Sequence, residues 1–190
     1  MLFLSKKLQG DVIGVMVTAS HNPEKVSRAV GRSWSRARAD HAPLQDNGVK
    51  LVDPHGEMLT ASWEAYATLL ANARTEDALI LALKEIVAIT QIDLSTPCTV
   101  IYGYDTRPSC PALIAALEDG LDAAGATKLV AGLVTTPQLH YLVRCHKTLG
   151  TPEAYGEPTV AGYYAKLATA YKTLAVRLSA PCFALRLKLT

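Results

Sequence analysis

The sequence predicts an α/β protein in which a layered, mixed sheet is flanked by helices. Two observations lead to this fold class. Short runs of β-branched and apolar residues alternate along the chain with longer segments of helical periodicity, an order typical of α/β domains. Hydrophobic residues make up 49% of the 190 residues and charged residues 19%, which provides enough apolar side chains for a packed core.

Four short apolar runs are predicted as strands. The first, residues 12–18, reads VIGVMVT and has the composition of a buried strand. The second, residues 49–52, is bounded by the turn signals Asn47-Gly48 and Asp53-Pro54. The third and fourth cover residues 99–104 and 128–134.

Five longer segments with apolar residues at helical spacing are predicted as helices. They cover residues 60–73, 76–92, 109–124, 137–145 and 159–174. Pro108 precedes the third and Gly125 follows it, which matches the preference of proline for helix starts and of glycine for helix ends. Residues 175–190 fit no element well and are predicted as an atypical tail, with an edge strand over residues 184–189 as the alternative.

The formal net charge of +2 is concentrated in two segments, residues 26–45 and 175–190. Both segments differ in character from the rest of the chain, so the basic pI is not a property of the whole domain. It therefore does not predict a nucleic-acid partner. The sequence has no apolar run long enough for a membrane span, and its start lacks the order of a secretory signal, so we expect a cytoplasmic protein without a membrane partner. The four cysteines form no C-x-x-C pair and are expected to be buried free thiols; they are Cys98, Cys110, Cys145 and Cys182.

The polar segment Thr18-Ala19-Ser20-His21-Asn22-Pro23 follows the first predicted strand directly. Folds of the α/β class place their functional sites at the carboxyl ends of strands. A turn that leads toward a helix also presents free backbone N–H groups, which suit a phosphate. Taken alone, however, a serine in such a turn is usually an ordinary turn or cap residue.

Residues 18–23 resemble the phosphoserine loop of the α-D-phosphohexomutase family. Asp46-Asn47-Gly48-Val49-Lys50 resembles the continuation of that loop. Three segments resemble the acetylglucosamine branch of the family, namely residues 46–59, 105–109 and 135–141. The resemblance covers residues 8–25 and 46–174. It implies a first phosphohexomutase domain over residues 1–150, a linker and the start of a second domain over 151–174, and the atypical tail over 175–190.

The resemblance implies an isomerase that interconverts N-acetylglucosamine 6-phosphate and N-acetylglucosamine 1-phosphate, in the biosynthesis of UDP-N-acetylglucosamine. In the family, a phosphoserine gives its phosphate to the free hydroxyl of a sugar phosphate and recovers the other phosphate from the bisphosphorylated sugar. Ser20 corresponds to this phosphoserine and to a ligand of Mg²⁺, which neutralises charge during phosphoryl transfer.

The resemblance assigns roles to four other residues. His21 and Lys50 correspond to positions that assist proton transfer and orient the phosphate. Asn22 and Arg107 correspond to positions that bind phosphate or substrate, although Asn22 also fits a purely turn-shaping role. For Arg107, an ion pair with Asp105 is the alternative to a clamp on the phosphate.

Residues 26–45 separate the phosphoserine loop from its continuation and have no counterpart in the family. We interpret them as a retained intron, since Val26-Ser27 and Gln45 are encodable by the consensus ends of an intron. A designed insertion and a basic helix for an acidic partner are the alternatives. The chain also lacks the family's first strand in residues 1–10.

The family's Asp-rich metal loop, sugar-recognition loop and C-terminal phosphate-binding domain have no counterpart either. One serine oxygen does not hold Mg²⁺, so the remaining metal ligands are missing and we expect these 190 residues to be inactive alone. The alternative functions are a non-catalytic splice-product fragment and a binding module that uses the basic insertion.

Overall fold

The computed structural model describes residues 2–18 and 48–178 of the chain. Ten secondary-structure elements follow one another within these residues. The helices are α1 (Leu2–Lys7), α2 (Ala61–Ala71), α3 (Glu76–Thr90), α4 (Cys110–Ala123), α5 (Thr136–Lys147) and α6 (Val160–Leu178). The strands are β1 (Val12–Thr18), β2 (Gly48–Val52), β3 (Thr99–Tyr104) and β4 (Thr127–Leu133).

The four strands form one mixed sheet with the order β2-β1-β3-β4. Strand β1 is parallel to β3, and β3 is parallel to β4. Strand β2 is antiparallel to β1, with Thr18 opposite Gly48 and Met16 opposite Lys50. The predicted layered, mixed sheet is therefore confirmed, and each predicted strand agrees with the structure to within one residue at either end.

Helix α5 packs against one face of the sheet. Leu139 and Val143 on this helix are fully buried against residues of β1, β2 and β3. Gly14 in β1 allows the close approach, because a Cβ atom at this position would lie 2.7 Å from Cγ2 of Val143 and 2.9 Å from Cβ of Val52. The core on this side consists of Val12, Met16, Val52, Ile101, Val134, Leu139 and Val143.

Helices α1 and α4 cover the opposite face of the sheet, and Trp63 of α2 packs at its border. The buried side chains on this side are Leu4, Ile13, Val15, Val100, Tyr102 and Leu121. Because β1 is central and covered on both faces, every one of its residues is buried. This explains why its sequence is a continuous apolar run rather than an alternating pattern.

The five predicted helices are confirmed as α2 to α6, and two features of the structure differ from the prediction. Helix α1 was not predicted, because its six residues are too few to show a helical period. The predicted tail over residues 175–190 is wrong for residues 175–178, which continue α6. No proline or glycine stops the helix before Leu178, and the next proline is Pro181. Residues 179–190, including the alternative edge strand, lie outside the described residues.

Three cysteines, Cys98, Cys110 and Cys145, are buried free thiols, as predicted. The fourth, Cys182, lies outside the described residues. Within residues 2–18 and 48–178, no helix has the length and apolar character needed to cross a lipid bilayer.

Candidate functional site

The carboxyl ends of the parallel strands meet at one edge of the sheet. Strand β1 ends at Thr18, and β3 ends beside it, since Val17 is paired with Tyr104. Two backbone hydrogen bonds extend this edge beyond the strands: the amide of Asp105 donates to the carbonyl of Val17 over 3.2 Å, and the amide of Val134 donates to the carbonyl of Tyr104 over 3.1 Å. The segment that begins after Thr18 therefore starts directly beside the loop that follows β3.

Asp105 ties these two strand ends together. The hydroxyl of Thr18 donates to Oδ2 of Asp105 over 2.8 Å. The backbone amide of Arg107 donates to Oδ1 over 3.1 Å, and the thiol of Cys110 donates to the same oxygen over 3.2 Å. Thr18 and Cys110 are almost completely buried. The carboxylate therefore fixes the end of β1, the loop after β3 and the first residue of α4 in one arrangement.

Arg107 forms an ion pair with Asp105. Its Nε lies 3.4 Å from Oδ2 of Asp105, and the two side chains are 12% and 23% exposed, respectively. The ion pair considered as an alternative role for Arg107 is thus present. Because the pair lies at the same edge as Thr18, it also holds a guanidinium beside the start of the segment that contains Ser20. The assignment of Arg107 as a phosphate clamp stays a prediction.

Lys50 lies on β2, opposite Met16 of β1. Lys50 is two residues from Val52 on the same strand, so the two side chains point to the same face of the sheet. The side chain of Val52 packs in the core beneath α5, and Met16 and Thr18 point to this face as well. Thr18 and Lys50 are diagonal neighbours on adjacent strands, a relation that separates Cα atoms by roughly 7–8 Å. The fold therefore brings Lys50 to the strand from which the segment with Ser20 begins.

The other predicted site residues, Ser20, His21 and Asn22, lie outside the described residues. The structure does describe both boundaries of their segment, because Thr18 and Gly48 are directly paired across β1 and β2. The assignments of Ser20 as phosphoserine, of His21 as a proton-transfer residue and of Asn22 as a phosphate-binding residue stay predictions.

Two helices begin at this edge of the sheet. Helix α4 starts at Cys110 after β3, and α5 starts at Thr136 after β4. Helix N-termini present free N–H groups and a positive partial charge, which favour anions. The side chain of Gln138 satisfies the amide of Thr135 at the start of α5, over 2.8 Å. The edge thus combines two helix N-termini with the cation Lys50, while the charge of Arg107 is paired with Asp105.

A magnesium ion is not accommodated by the described part of the chain alone. No group of three or more histidine, cysteine, aspartate or glutamate side chains in residues 2–18 and 48–178 is arranged to hold a metal. Asp105 lies at these strand ends, and its oxygens accept hydrogen bonds from Thr18, Arg107 and Cys110. A carboxylate engaged in this way acts as a structural anchor rather than a metal ligand.

A second feature, which no sequence pattern predicted, is a cleft of about 510 Å³ between α5 and α6. Its wall carries the ring of Tyr155, with Cζ of Arg144 at 4.1 Å and Nζ of Lys166 at 3.6 Å from the ring centre. His140 also lines the cleft, and its Nδ1 donates to the carbonyl of Gly56 over 2.9 Å. Neither Lys50 nor Arg107 contributes to this wall.

Comparison with known proteins gives a consistent result. Residues 69–151 match the family model described as phosphoglucomutase/phosphomannomutase, alpha/beta/alpha domain I. The chain is 45% identical over 176 residues to the phosphoacetylglucosamine mutase of Sus scrofa, covering 93% of this chain and 28% of that protein. Its identity to the human phosphoacetylglucosamine mutase is 43%, with the same coverage. The chain therefore spans about 28% of the length of these relatives.

Solved structures agree in three dimensions. Aspergillus fumigatus N-acetylphosphoglucosamine mutase matches with a TM-score of 0.75 and 48% identity, covering 90% of this chain and 28% of that one. The same enzyme in complex with GlcNAc-6P and magnesium matches with a TM-score of 0.72. An N-acetylglucosamine-phosphate mutase described as a member of the α-D-phosphohexomutase superfamily, in its apo form, matches with a TM-score of 0.71 and 42% identity.

Proposed function

We propose that this chain, a member of the α-D-phosphohexomutase superfamily and a homologue of the phosphoacetylglucosamine mutases, forms the part of such a mutase that carries the phosphorylated serine, Ser20. The observation that carries this proposal is the edge at which Asp105 anchors Thr18, two residues before Ser20. Lys50 and the helix N-termini at this edge provide the positive charge that a phosphoserine requires.

The proposed reaction is the interconversion of N-acetylglucosamine 6-phosphate and N-acetylglucosamine 1-phosphate. The P–O bond to Ser20 breaks while a new P–O bond forms to the free hydroxyl of the sugar phosphate, whose proton passes to a base. The bisphosphorylated sugar then returns its other phosphate to Ser20, so no phosphate is gained or lost. The relative solved with GlcNAc-6P supports this substrate class.

Each site residue has a separate task in this proposal. Lys50 neutralises phosphate charge as a point cation, and His21 moves the proton of the hydroxyl or of the serine oxygen. Asn22 shapes the turn and donates to the phosphate. Arg107 supplies a fixed guanidinium, since its pairing with Asp105 limits its rotation.

Magnesium would neutralise charge on the transferring phosphate, as is general in phosphoryl transfer. We propose that the phosphate on Ser20 provides one of its ligands. Since the described residues supply no ligand set, the others would come from polypeptide beyond the 28% that this chain matches. For the same reason we propose that the 190 residues alone do not turn over a sugar phosphate. The proposed division is domain I over residues 1–150, then a linker and the start of a second domain over 151–174.

A chimeric enzyme tests the proposal. The matched segment of the Aspergillus fumigatus mutase is replaced by this chain without residues 26–45, and conversion of N-acetylglucosamine 6-phosphate is measured. We expect turnover that falls by at least about a thousandfold in Ser20→Ala, because the phosphate carrier is lost. Ser62→Ala, at an exposed position of α2, is the matched control and should be neutral. Unchanged turnover in Ser20→Ala would overturn the proposal.

A further inference from the structure

The cleft between α5 and α6 has the size and lining of a small-molecule site. Its volume of about 510 Å³ lies within the range of about 300–1,000 Å³ that is usual for ligand pockets in proteins. Such pockets are mostly apolar and aromatic, with a few polar groups that fix the orientation of the ligand. The apolar and aromatic residues that line this one are Pro137, Tyr141, Tyr155, Tyr163, Leu167 and Ala170.

Two cations give the cleft a positive charge. Arg144 of α5 and Lys166 of α6 both lie against the ring of Tyr155, with Cζ at 4.1 Å and Nζ at 3.6 Å from the ring centre. Within residues 2–18 and 48–178, neither cation forms an ion pair with a carboxylate, and no acidic residue lines the cleft. The charge of the cleft is therefore available to an anionic ligand.

These groups are held in place in the absence of a ligand. The amide of Tyr155 donates to the hydroxyl of Thr148 over 2.9 Å, and the carbonyl of Tyr155 accepts from Nζ of Lys166 over 2.5 Å. The ring of Tyr155 packs against that of Tyr141, with the ring centres 5.7 Å apart. Because the ring and one cation are already fixed, a ligand would order few side chains on binding, which favours affinity.

Thr136 adds a polar group that lacks a partner. It lies at the first position of α5 and lines the cleft, and its Oγ1 is buried without a hydrogen bond to any of the described residues. Buried hydroxyl groups are rarely left in this state, because an unmade hydrogen bond costs free energy. Threonine adopts two side-chain rotamers in helices, so rotation about Cα–Cβ turns this hydroxyl toward a ligand with acceptor oxygens.

We propose that the cleft between α5 and α6 binds a small aromatic phosphate, the class of compound to which mononucleotides belong, at a site separate from Ser20. A phosphate monoester carries nearly two negative charges and three strong acceptor oxygens, which suits two cations and a hydroxyl better than a single carboxylate does. Arginine in particular binds phosphate through two parallel N–H groups. The apolar wall accommodates the aromatic ring. Neither Lys50 nor Arg107 lines the cleft, so the two anion sites do not share these cations.

A titration of the full 190-residue chain with phenyl phosphate provides the first test. This probe joins one ring to one phosphate, and its binding is followed by NMR through the backbone amide shifts of the isotope-labelled chain. We expect a Kd of about 1 mM or lower, which is an ordinary efficiency for a ligand of this size. The shifts should be concentrated in α5, α6 and the loop between them. Inorganic phosphate and phenol, each of which supplies one half of the probe, should bind at least about tenfold more weakly.

Substitutions of the two cations locate the bound probe. Arg144→Gln and Lys166→Gln should each weaken the binding of phenyl phosphate by at least about tenfold. The matched controls Arg74→Gln and Lys172→Gln remove the same charges at exposed positions outside the cleft and should not change the Kd. Lys166→Gln also removes the hydrogen bond to the carbonyl of Tyr155, so Arg144→Gln, which removes no such bond, is the decisive variant if the first disturbs the loop.

Three results would overturn the proposal. The first is an unchanged Kd in Arg144→Gln, or a loss of binding in Lys50→Gln instead, since the probe would then bind elsewhere. The second is equal affinity for inorganic phosphate and phenyl phosphate, which would show that the chain attracts any such anion. The third is the absence of Arg144-dependent binding in the chimeric mutase, measured by calorimetry, because the cleft would then be filled by the rest of that enzyme. None of these measurements involves turnover, so they succeed or fail independently of the proposed function.

Discussion

At the scale of single residues, Asp105 is the group on which the geometry of the site depends most. Its two oxygens accept hydrogen bonds from Thr18, from the backbone and side chain of Arg107, and from Cys110. In the sequence, Asp105 is the first residue of an Asp-Thr-Arg motif, in which the arginine is the residue predicted to bind phosphate. The structure shows that the aspartate connects the ends of two parallel strands, a role that no local pattern reveals.

Replacing this carboxylate should loosen the strand ends. Asp105→Asn keeps one acceptor oxygen but removes the charge that pairs with Arg107, and it leaves a partly buried donor without a partner. We expect the free energy of unfolding, measured by urea titration, to fall by about 1–3 kcal/mol. Asp93→Asn is the control, because Asp93 accepts comparable hydrogen bonds from Ser95 in an exposed turn. Equal effects of the two substitutions would contradict the anchoring role.

The phenol of Tyr102 gives a prediction about alkaline pH. Burial of the ring, together with the hydrogen bond that its hydroxyl donates to Glu118, raises the pKa of Tyr102 from 10.0 to about 12. The folded chain therefore keeps this proton at a pH at which the unfolded chain releases it. The resulting stabilisation is complete below pH 10 and is lost as the pH rises through about 12.

Substitution of Tyr102 by phenylalanine isolates this titration. The pKa of Tyr141 is also raised to about 12, mainly by burial, so the wild-type titration contains both groups. The difference in absorbance at 295 nm between wild type and Tyr102→Phe should show one phenol ionising near pH 12. The decline of stability between pH 10 and 12 should be shallower in the variant. A difference spectrum that titrates near pH 10 would contradict the assignment. Tyr171→Phe, at an exposed position, controls for the loss of a phenol as such.

At the scale of elements, the contact between the sheet and α5 depends on a glycine. Gly14 lies in β1, beneath Val143 of α5, and a Cβ atom here would be closer to Val143 and Val52 than real atoms approach. The neighbours are branched core side chains packed at crystal-like density, so they cannot move aside without strain. The same contact positions α5, whose N-terminus lies at the edge that carries the candidate site.

Two glycine-to-alanine substitutions test this packing. Gly14→Ala should lower the free energy of unfolding by about 1–3 kcal/mol, the usual cost of overpacking. Gly120→Ala should raise it by about 0.5–1 kcal/mol, since Gly120 lies in α4 with open space around it and alanine favours the helix. Opposite signs in urea titration are the expected result, and a neutral Gly14→Ala would show that α5 is packed more loosely than described.

The element that the sequence did not predict, α1, shows how tertiary contacts stabilise a short helix. Ser5 is completely buried; its hydroxyl donates to the carbonyl of Asp11 over 2.7 Å and accepts from the amide of Thr99 over 3.2 Å. Lys6 donates to the carbonyls of Leu94 and Thr96 over 2.8 Å and 2.6 Å. Three of these partners, Leu94, Thr96 and Thr99, are 88 to 94 residues away in sequence. No window along the chain therefore contains the contacts that make the helix stable.

At the scale of the whole molecule, the sequence predicted the elements better than their arrangement. Central strands such as β1 are recognisable because burial on both faces demands an unbroken apolar run. The order β2-β1-β3-β4 depends on long-range pairing and was beyond such patterns. For the site, the carboxyl end of β1 was predicted as its location. Lys50 and Arg107 lie near that end, and their roles there stay predictions. The anchoring of the strand ends by Asp105 could be recognised only from three-dimensional contacts.

Residues 26–45 affect the stability of the whole fold because they lie between two residues that are directly paired in the sheet. Thr18 and Gly48 are partners across β1 and β2, so residues 19–47 connect two positions that the sheet holds together. The entropic cost of closing such a connection rises only slowly with its length, and removing residues 26–45 shortens it from 29 residues to 9. The deletion, which joins Lys25 to Asp46, should therefore raise the free energy of unfolding by about 1 kcal/mol.

A length-matched replacement separates the length of the insertion from its composition. If residues 26–45 are a passive interruption, exchanging them for 20 glycine and serine residues should leave the free energy of unfolding in urea near the wild-type value, while the deletion raises it. If instead the arginine-rich segment packs on the domain, both changes should be destabilising, and the passive interpretation would be wrong. In the chimeric mutase the turnover of the two variants should also differ, because the proposed reaction requires Ser20 and Lys50 to be held near one phosphate. We expect turnover there to exceed that of the chimera with residues 26–45 only when the loop is shortened, and not when its composition alone is changed.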